Sequence, residues 1–170
     1  MLSPVFFDRF TMGFSLAVHI IFASIGIALP IIISAAEFIG VYKKDKDYVN
    51  IARNLTLPLI LFFAVGTASG ITVALELLFL WPKFMSLVSQ VAILPFYIEV
   101  FAFFIESIFL GIYAYSWKHP FKGKYSHWLT SVPIAIAAAS SGLLIVMVNA
   151  FMNTPNGFNI PEFLSKVIIA

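Results

Sequence analysis

Hydrophobic side chains run through this chain in four long blocks, with polar residues gathered between them. The blocks extend from about residue 11 to 42, 55 to 81, 91 to 117 and 128 to 152. Each exceeds the roughly 20 residues that a helix needs to cross the hydrocarbon of a bilayer. They are apolar most of the way round, so no 3.6-residue period picks out a lipid-facing side. Nor do they alternate in the short segments that strands of a membrane barrel require. The pattern predicts an all-α fold, an integral membrane four-helix bundle forming a single domain over residues 1–170.

Composition agrees with that pattern. Charged residues make up 11% of the chain, against about 25% in soluble domains. Mean hydropathy is +1.01, so lipid must cover much of the surface. A net charge of +2 with no basic cluster among aromatics gives no ground for a nucleic-acid partner. The sequence has no cysteine, which excludes disulfides, iron–sulfur clusters and thiolate-bound haem within it and leaves His, Met and carboxylate as metal ligands. The opening MLSPVFFDRF lacks a basic n-region and cleavage site, and the first block is long for a signal peptide. It is expected to remain as a helix.

The connections orient the helices. Lys43, Lys44, Lys46 and Arg53 lie between the first and second blocks, and Lys118, Lys122 and Lys124 between the third and fourth. The opposite side holds Arg9, Lys83 and Lys166. Seven basic residues against three place the two basic loops in the cytoplasm and both termini on the periplasmic or outer side. Trp81, Trp117 and Trp128 fall at block ends, where interfacial aromatics belong. The tail NTPNGFNIPEF reads as an outer loop, and LSKVIIA as the start of a further apolar element.

Three ionisable residues, His19, Glu99 and Glu106, stand deep inside these blocks. A charge at the bilayer centre costs about 2.5–3.5 kcal/mol on insertion scales, so each needs a partner. His19 stands about eight residues into its block, about 12 Å along a helix. Imidazole there suits a metal or haem ligand, and equally a hydrogen bond to a neighbouring helix. Glu99 and Glu106 are two turns apart, hence on one face and about 10 Å apart along the axis. They suit a proton path, the neutralising of a cofactor metal, or pairing with basic groups. The bland alternative is a pair of neutral acids acting as interhelical hydrogen-bond glue.

Other polar groups invite weaker readings. Glu37, within reach of the interface, is expected to serve a structural or snorkelling role, and Glu76 to join an outer polar cluster with His19. Gly66 and Gly70 form a GxxxG pattern that suits close helix packing or a flat ligand. Ser107, Ser140, Ser141 and Asn149 extend a candidate hydrogen-bonded path from Glu106. Arg9 suits a haem propionate or an interfacial anchor. His119 and His127 fall in a cytoplasmic loop and are expected to face water.

The segments DRFTMGFSLAVHIIFASIGIALP, AVGTASGITVALELLFLWP, LPFYIEVFAFFIESIFLGIYAYSW and VNAFMNTPNGF carry a resemblance. The chain resembles the N-terminal part of subunit I of the cytochrome bd-type quinol oxidases. That resemblance implies a multi-pass protein of a prokaryotic plasma membrane, belonging to a complex that oxidises quinol and reduces oxygen to water. It implies a low-spin haem b, a high-spin haem b and a haem d in the full subunit, with quinol as substrate. It implies a second oxidase subunit and small accessory subunits as partners, besides lipid. His19 takes the role of axial ligand to a high-spin haem. Glu99 and Glu106 take roles near the high-spin haems and in proton transfer from the cytoplasm, and Ser141 matches a serine on that path. Some family members space the two acids by eight rather than seven, and Glu76 stands where glutamine is usual. The family's low-spin haem ligands, a second high-spin ligand and the quinol loop lie beyond residue 170. The chain is therefore expected to be a fragment, a truncated product or part of a split subunit, not competent alone. Two readings remain beside this one: a non-redox membrane subunit for proton or solute transport, and a structural scaffold whose polar residues are only glue.

Overall fold

The computed structural model describes residues 3–154 except residues 92 and 120, leaving the tail and Lys166 outside the described residues. Five helices follow in order: α1 (Pro4–Lys43), α2 (Lys46–Leu80), α3 (Pro82–Val91), α4 (Ile93–Ser116) and α5 (Ser126–Asn153). Four of them, all but α3, are long and apolar enough to cross a membrane.

Helices α1 and α2 reach further than their apolar blocks because polar residues cap them. Ser3 accepts the Phe6 N–H at 3.3 Å and Pro4 stands where a missing N–H costs nothing, so α1 begins at Pro4. His19 is then about 22 Å along the axis from the helix start. Asp45 accepts the Asp47 N–H at 2.9 Å and opens α2 at Lys46. Hydropathy registers only the greasy middle of such helices. Pro30, Pro58 and Pro133 lie inside helices, which membrane helices tolerate when neighbours satisfy the freed carbonyls.

Helix α3 has no counterpart among the four blocks. Trp81 leaves helical geometry (φ −126°, ψ 48°), and Pro82 starts a new ten-residue helix in the connection. Val88 of α3 packs on Val148 of α5, with Phe96 of α4 beside them.

Between α1 and α2 the chain turns in two residues. Lys44 adopts a left-handed conformation (φ 58°), and its N–H and that of Asp45 both reach the Gly40 carbonyl. A Cβ on Gly40 would stand 2.7 Å from Val49 Cγ2 and 2.9 Å from the Val49 backbone N. Gly40→Ala is expected to lower stability by about 1–3 kcal/mol, because backbone rather than a flexible side chain must yield. A lower thermal midpoint of the detergent-solubilised protein checks this.

Packing is uneven along the bundle. α1 pairs with α2, α4 pairs with α5, and α1 against α5 joins the two pairs. The main core gathers Ile33, Ala36, Ala52, Leu59, Leu110, Tyr113 and Ile134 at the end that carries the basic loops. No residue of α1 before Pro30 is buried. Large apolar side chains such as Phe10, Phe14, Ile21 and Phe101 remain exposed, as expected of surfaces covered by lipid or further protein rather than water. The indole N–H groups of Trp117 and Trp128 hold neighbouring helices, bonding Thr56 Oγ1 at 3.0 Å and the Ser34 carbonyl at 3.1 Å.

Candidate functional site

In the half of the bundle away from the basic loops, α1 and α2 meet through polar atoms. His19 Nδ1 lies 3.1 Å from Ser69 Oγ, and the Ser69 hydroxyl donates to the Gly66 carbonyl at 3.0 Å. A serine hydroxyl has one hydrogen. When that hydrogen goes to Gly66, Nδ1 is the protonated ring nitrogen and donates to Ser69. Nε2 then keeps its lone pair, and it has no hydrogen-bond partner among the described residues.

Glycine at position 70 makes this arrangement possible. A Cβ there would approach His19 Cε1 to 3.0 Å and Nδ1 to 3.5 Å, so the imidazole lies against bare backbone. Gly66 stands similarly against Phe22, where a Cβ would meet Phe22 Cβ at 3.9 Å. The GxxxG pattern thus admits α1, one glycine receiving its histidine and the other its backbone.

One turn before His19, Ser15 donates to Glu76 Oε1 at 2.7 Å, while Glu76 Oε2 is buried with no partner among the described residues. The structure brings Glu76 into the polar seam with His19. Arg9 is exposed and makes no ion pair among the described residues.

On α4 the inward stripe carries Glu99, Ala102, Glu106, Leu110 and Tyr113. Glu99 Oε1 accepts the Ser141 hydroxyl of α5 at 3.2 Å. Glu106 is 8% exposed, and its carboxyl makes no hydrogen bond among the described residues. Neither acid is spent in an ion pair, which leaves both chemically available. The structure joins Ser141 to Glu99 but not the other polar candidates. Ser107 is spent on the Phe103 carbonyl of its own helix, and Asn149 accepts from Asn153.

Two expectations at the basic end are overturned. His127 does not face water: its Nδ1 pairs with Glu37 Oε1 at 2.6 Å, and its ring packs 4.1 Å from the Trp117 ring. Glu37 does not snorkel: it is 2% exposed and also accepts the Tyr113 hydroxyl at 2.8 Å, a structural position. A buried carboxylate needs its partners nearby, and these come from α4 and α5, which hydropathy along α1 cannot reveal. His119 is exposed, stacked on Tyr115.

No three potential metal ligands among His, Cys, Asp and Glu gather at one point among the described residues. A macrocycle makes a different demand, since the porphyrin nitrogens fill the equatorial positions and the protein supplies axial ligands. The residues around His19 fit that demand: a hydrogen-bonded Nδ1 and an Nε2 with no partner among the described residues.

Comparisons with known proteins concern the chain as a whole. The family described as cytochrome bd terminal oxidase subunit I matches residues 7–167. A Bacillus subtilis (strain 168) protein provisionally named a cytochrome bd menaquinol oxidase subunit I is 38% identical over 153 residues, covering 88% of this chain and 32% of that protein. A cytochrome bd ubiquinol oxidase subunit 1 of the same strain is 29% identical over 143 residues, covering 84% of this chain and 30% of the relative. Among solved structures, a chain of the bd oxidase from Geobacillus thermodenitrificans superposes with a TM-score of 0.85 at 44% identity, covering 94% of this chain and 37% of that one. This chain spans about a third of the length of the curated relatives it matches.

Proposed function

The chain belongs to the cytochrome bd terminal oxidase subunit I family, and from that membership we propose that it forms part of a quinol:oxygen oxidoreductase, holding haem on His19 and moving protons through Glu106 and Glu99. It is a multi-pass protein of a bacterial plasma membrane. The observation that carries the reading is the relay His19–Ser69–Gly66, which orients the imidazole and leaves Nε2 as a ligand atom.

In this reading the haems are a high-spin haem b and haem d, with a low-spin haem b elsewhere in the full subunit. Bound haem supplies electron transfer and the place where oxygen is reduced. The residues of this chain do the rest. His19 would hold the haem iron, and Ser69 would keep its ring from turning. Gly70 lets the ring lie close to α2. Arg9, at the exposed start of α1, has the charge to hold a haem propionate.

Glu106 lies nearer the basic loops and Glu99 nearer the opposite end. With the basic loops in the cytoplasm and both termini outside, a proton taken up from the cytoplasm reaches Glu106 first. Glu99 receives it next, and Ser141 holds the Glu99 carboxyl in place at 3.2 Å. A second oxidase subunit, small accessory subunits and lipid cover the exposed apolar faces, and quinol is the electron donor. Coupling follows if quinol releases its protons on the outer side while these acids draw from the inner one.

The test is the visible spectrum and oxygen consumption of the protein purified with its natural partner subunits. A Soret band with quinol-dependent oxygen uptake is expected. A colourless, folded assembly under full haem supply returns the function to proton or solute transport.

A further inference from the structure

Seven residues separate Glu99 from Glu106, and seven more lead to Tyr113. All three lie on one stripe of α4, about 10 Å apart along its axis. Tyr113 is fully buried, and its hydroxyl bonds Glu37 of α1, which pairs in turn with His127 in the first turn of α5. Three helices thus place three proton-exchanging groups in series. The series runs from the basic loop that precedes α5 toward the acid stripe of α4.

Adhesion alone does not explain this cluster. Burying a carboxylate costs desolvation that well-packed apolar residues of similar volume avoid, so gluing three helices does not call for one. Furthermore, His127 Nε2 is buried and has no partner among the described residues, an unfinished end in an otherwise bonded series. A proton carrier needs two working nitrogens, one to receive and one to give.

Between Tyr113 and Glu106 on α4 stands Leu110, which belongs to one buried apolar layer with Ile33, Leu59 and Ile134, each 5% exposed or less. Apolar constrictions of this kind gate conduction by admitting or excluding water. We propose that His127, Glu37 and Tyr113 form a proton-loading site at the basic end of the bundle, which feeds Glu106 across this apolar layer. The proposal rests on the reading that Glu106 carries protons for oxygen reduction.

The proton count closes. One proton gained at His127 Nε2 is matched by one passed from Nδ1 to Glu37. The neutral carboxyl, on rotating, offers that proton to the Tyr113 oxygen. The phenol hydrogen leaves toward Glu106 through water admitted to the layer, and the cluster returns to its starting charge. The groups facing it from the packed elements are Glu37 of α1, Tyr113 of α4 with Trp117 just beyond that helix, and Thr56 and Arg53 of α2. The Arg53 guanidinium lies over the Trp117 ring at 5.8 Å, while Thr56 accepts the Trp117 N–H. Arg53 is a fixed cation that does not release protons, so it biases the cluster without joining the relay.

The experiment uses the assembled, haem-loaded oxidase carrying Glu37→Gln, Tyr113→Phe, His127→Ala or Glu106→Gln. Haem spectrum and proton uptake from the basic-loop side are followed after oxygen is added to the reduced enzyme. Glu37→Gln and Tyr113→Phe are expected to keep the spectrum and slow proton uptake about a hundredfold, the lower range for removing a proton-transfer group. His127→Ala is expected to be equally slow and to recover with free imidazole in the buffer. Should Glu37→Gln fail to assemble, Tyr113→Phe decides alone, since it keeps the ring and removes only the hydroxyl. Wild-type uptake in Tyr113→Phe, or a slow His127→Ala that imidazole does not rescue, overturns the loading site. Slow uptake in Glu106→Gln beside normal uptake in Tyr113→Phe defeats the loading site alone. Normal uptake in Glu106→Gln defeats the proton role of Glu106 itself.

Discussion

Replacing His19 by alanine is expected to abolish one haem's absorption from the assembled protein while leaving the helices folded. The cofactor loss is the larger effect, because on the proposed reading the imidazole is the ligand and alanine offers none. The fold cost is small. His19 makes one side-chain hydrogen bond, to Ser69, and such a bond contributes about 1 kcal/mol net. Alanine is a better helix former than histidine, which offsets part of that. Ser69 keeps its own bond to the Gly66 carbonyl, so no new orphan hydroxyl arises. Two measurements on one preparation check the outcome: haem per protein by optical spectrum, and helicity by circular dichroism. Full haem content in His19→Ala would assign the histidine to helix packing.

Glu106→Gln is expected to lower quinol-driven oxygen consumption by on the order of a hundredfold, as removal of a proton-transfer group does. The substitution is nearly isosteric, so packing against Ala102 and Leu110 persists. Glu106 has no hydrogen-bond partner among the described residues, so no specific bond is broken. The amide cannot take up and release a proton near neutral pH, and this is the one property lost. The haem spectrum should therefore stay at its native intensity while turnover per haem falls. Unchanged turnover would reduce Glu106 to helix adhesion. A fall in turnover that tracks a fall in haem content would point to a role in cofactor retention instead.

Much of the candidate site is legible along the chain because membrane helices make polar residues conspicuous. His19, Glu99 and Glu106 stand out against apolar neighbours, and a seven-residue step on a helix places both acids on one face whatever surrounds them. Glu37 and His127 are the instructive failures. Each stands near a block end, where polar residues usually reach water, so position along the chain says nothing of a contact between residues 90 apart in sequence. One hint was available: Tyr113 continues the seven-residue step of the acids. The helix α3 was hidden for a different reason, since ten amphipathic residues are too short and too polar to register as a span.

Sequence by itself determined the class of the protein: four spanning helices, their antiparallel order, the side on which basic residues gather, and a few buried polar groups that demand partners. These follow from the cost of placing polar atoms in hydrocarbon, which is a property of each residue and its neighbours in the chain. Tertiary structure decided who the partners are. It set His19 against Ser69 and Gly66, joined Glu99 to Ser141, and closed Glu37 between Tyr113 and His127. Such choices depend on which faces of distant helices meet, and helices that are apolar nearly all round carry no one-dimensional signal of their own rotation.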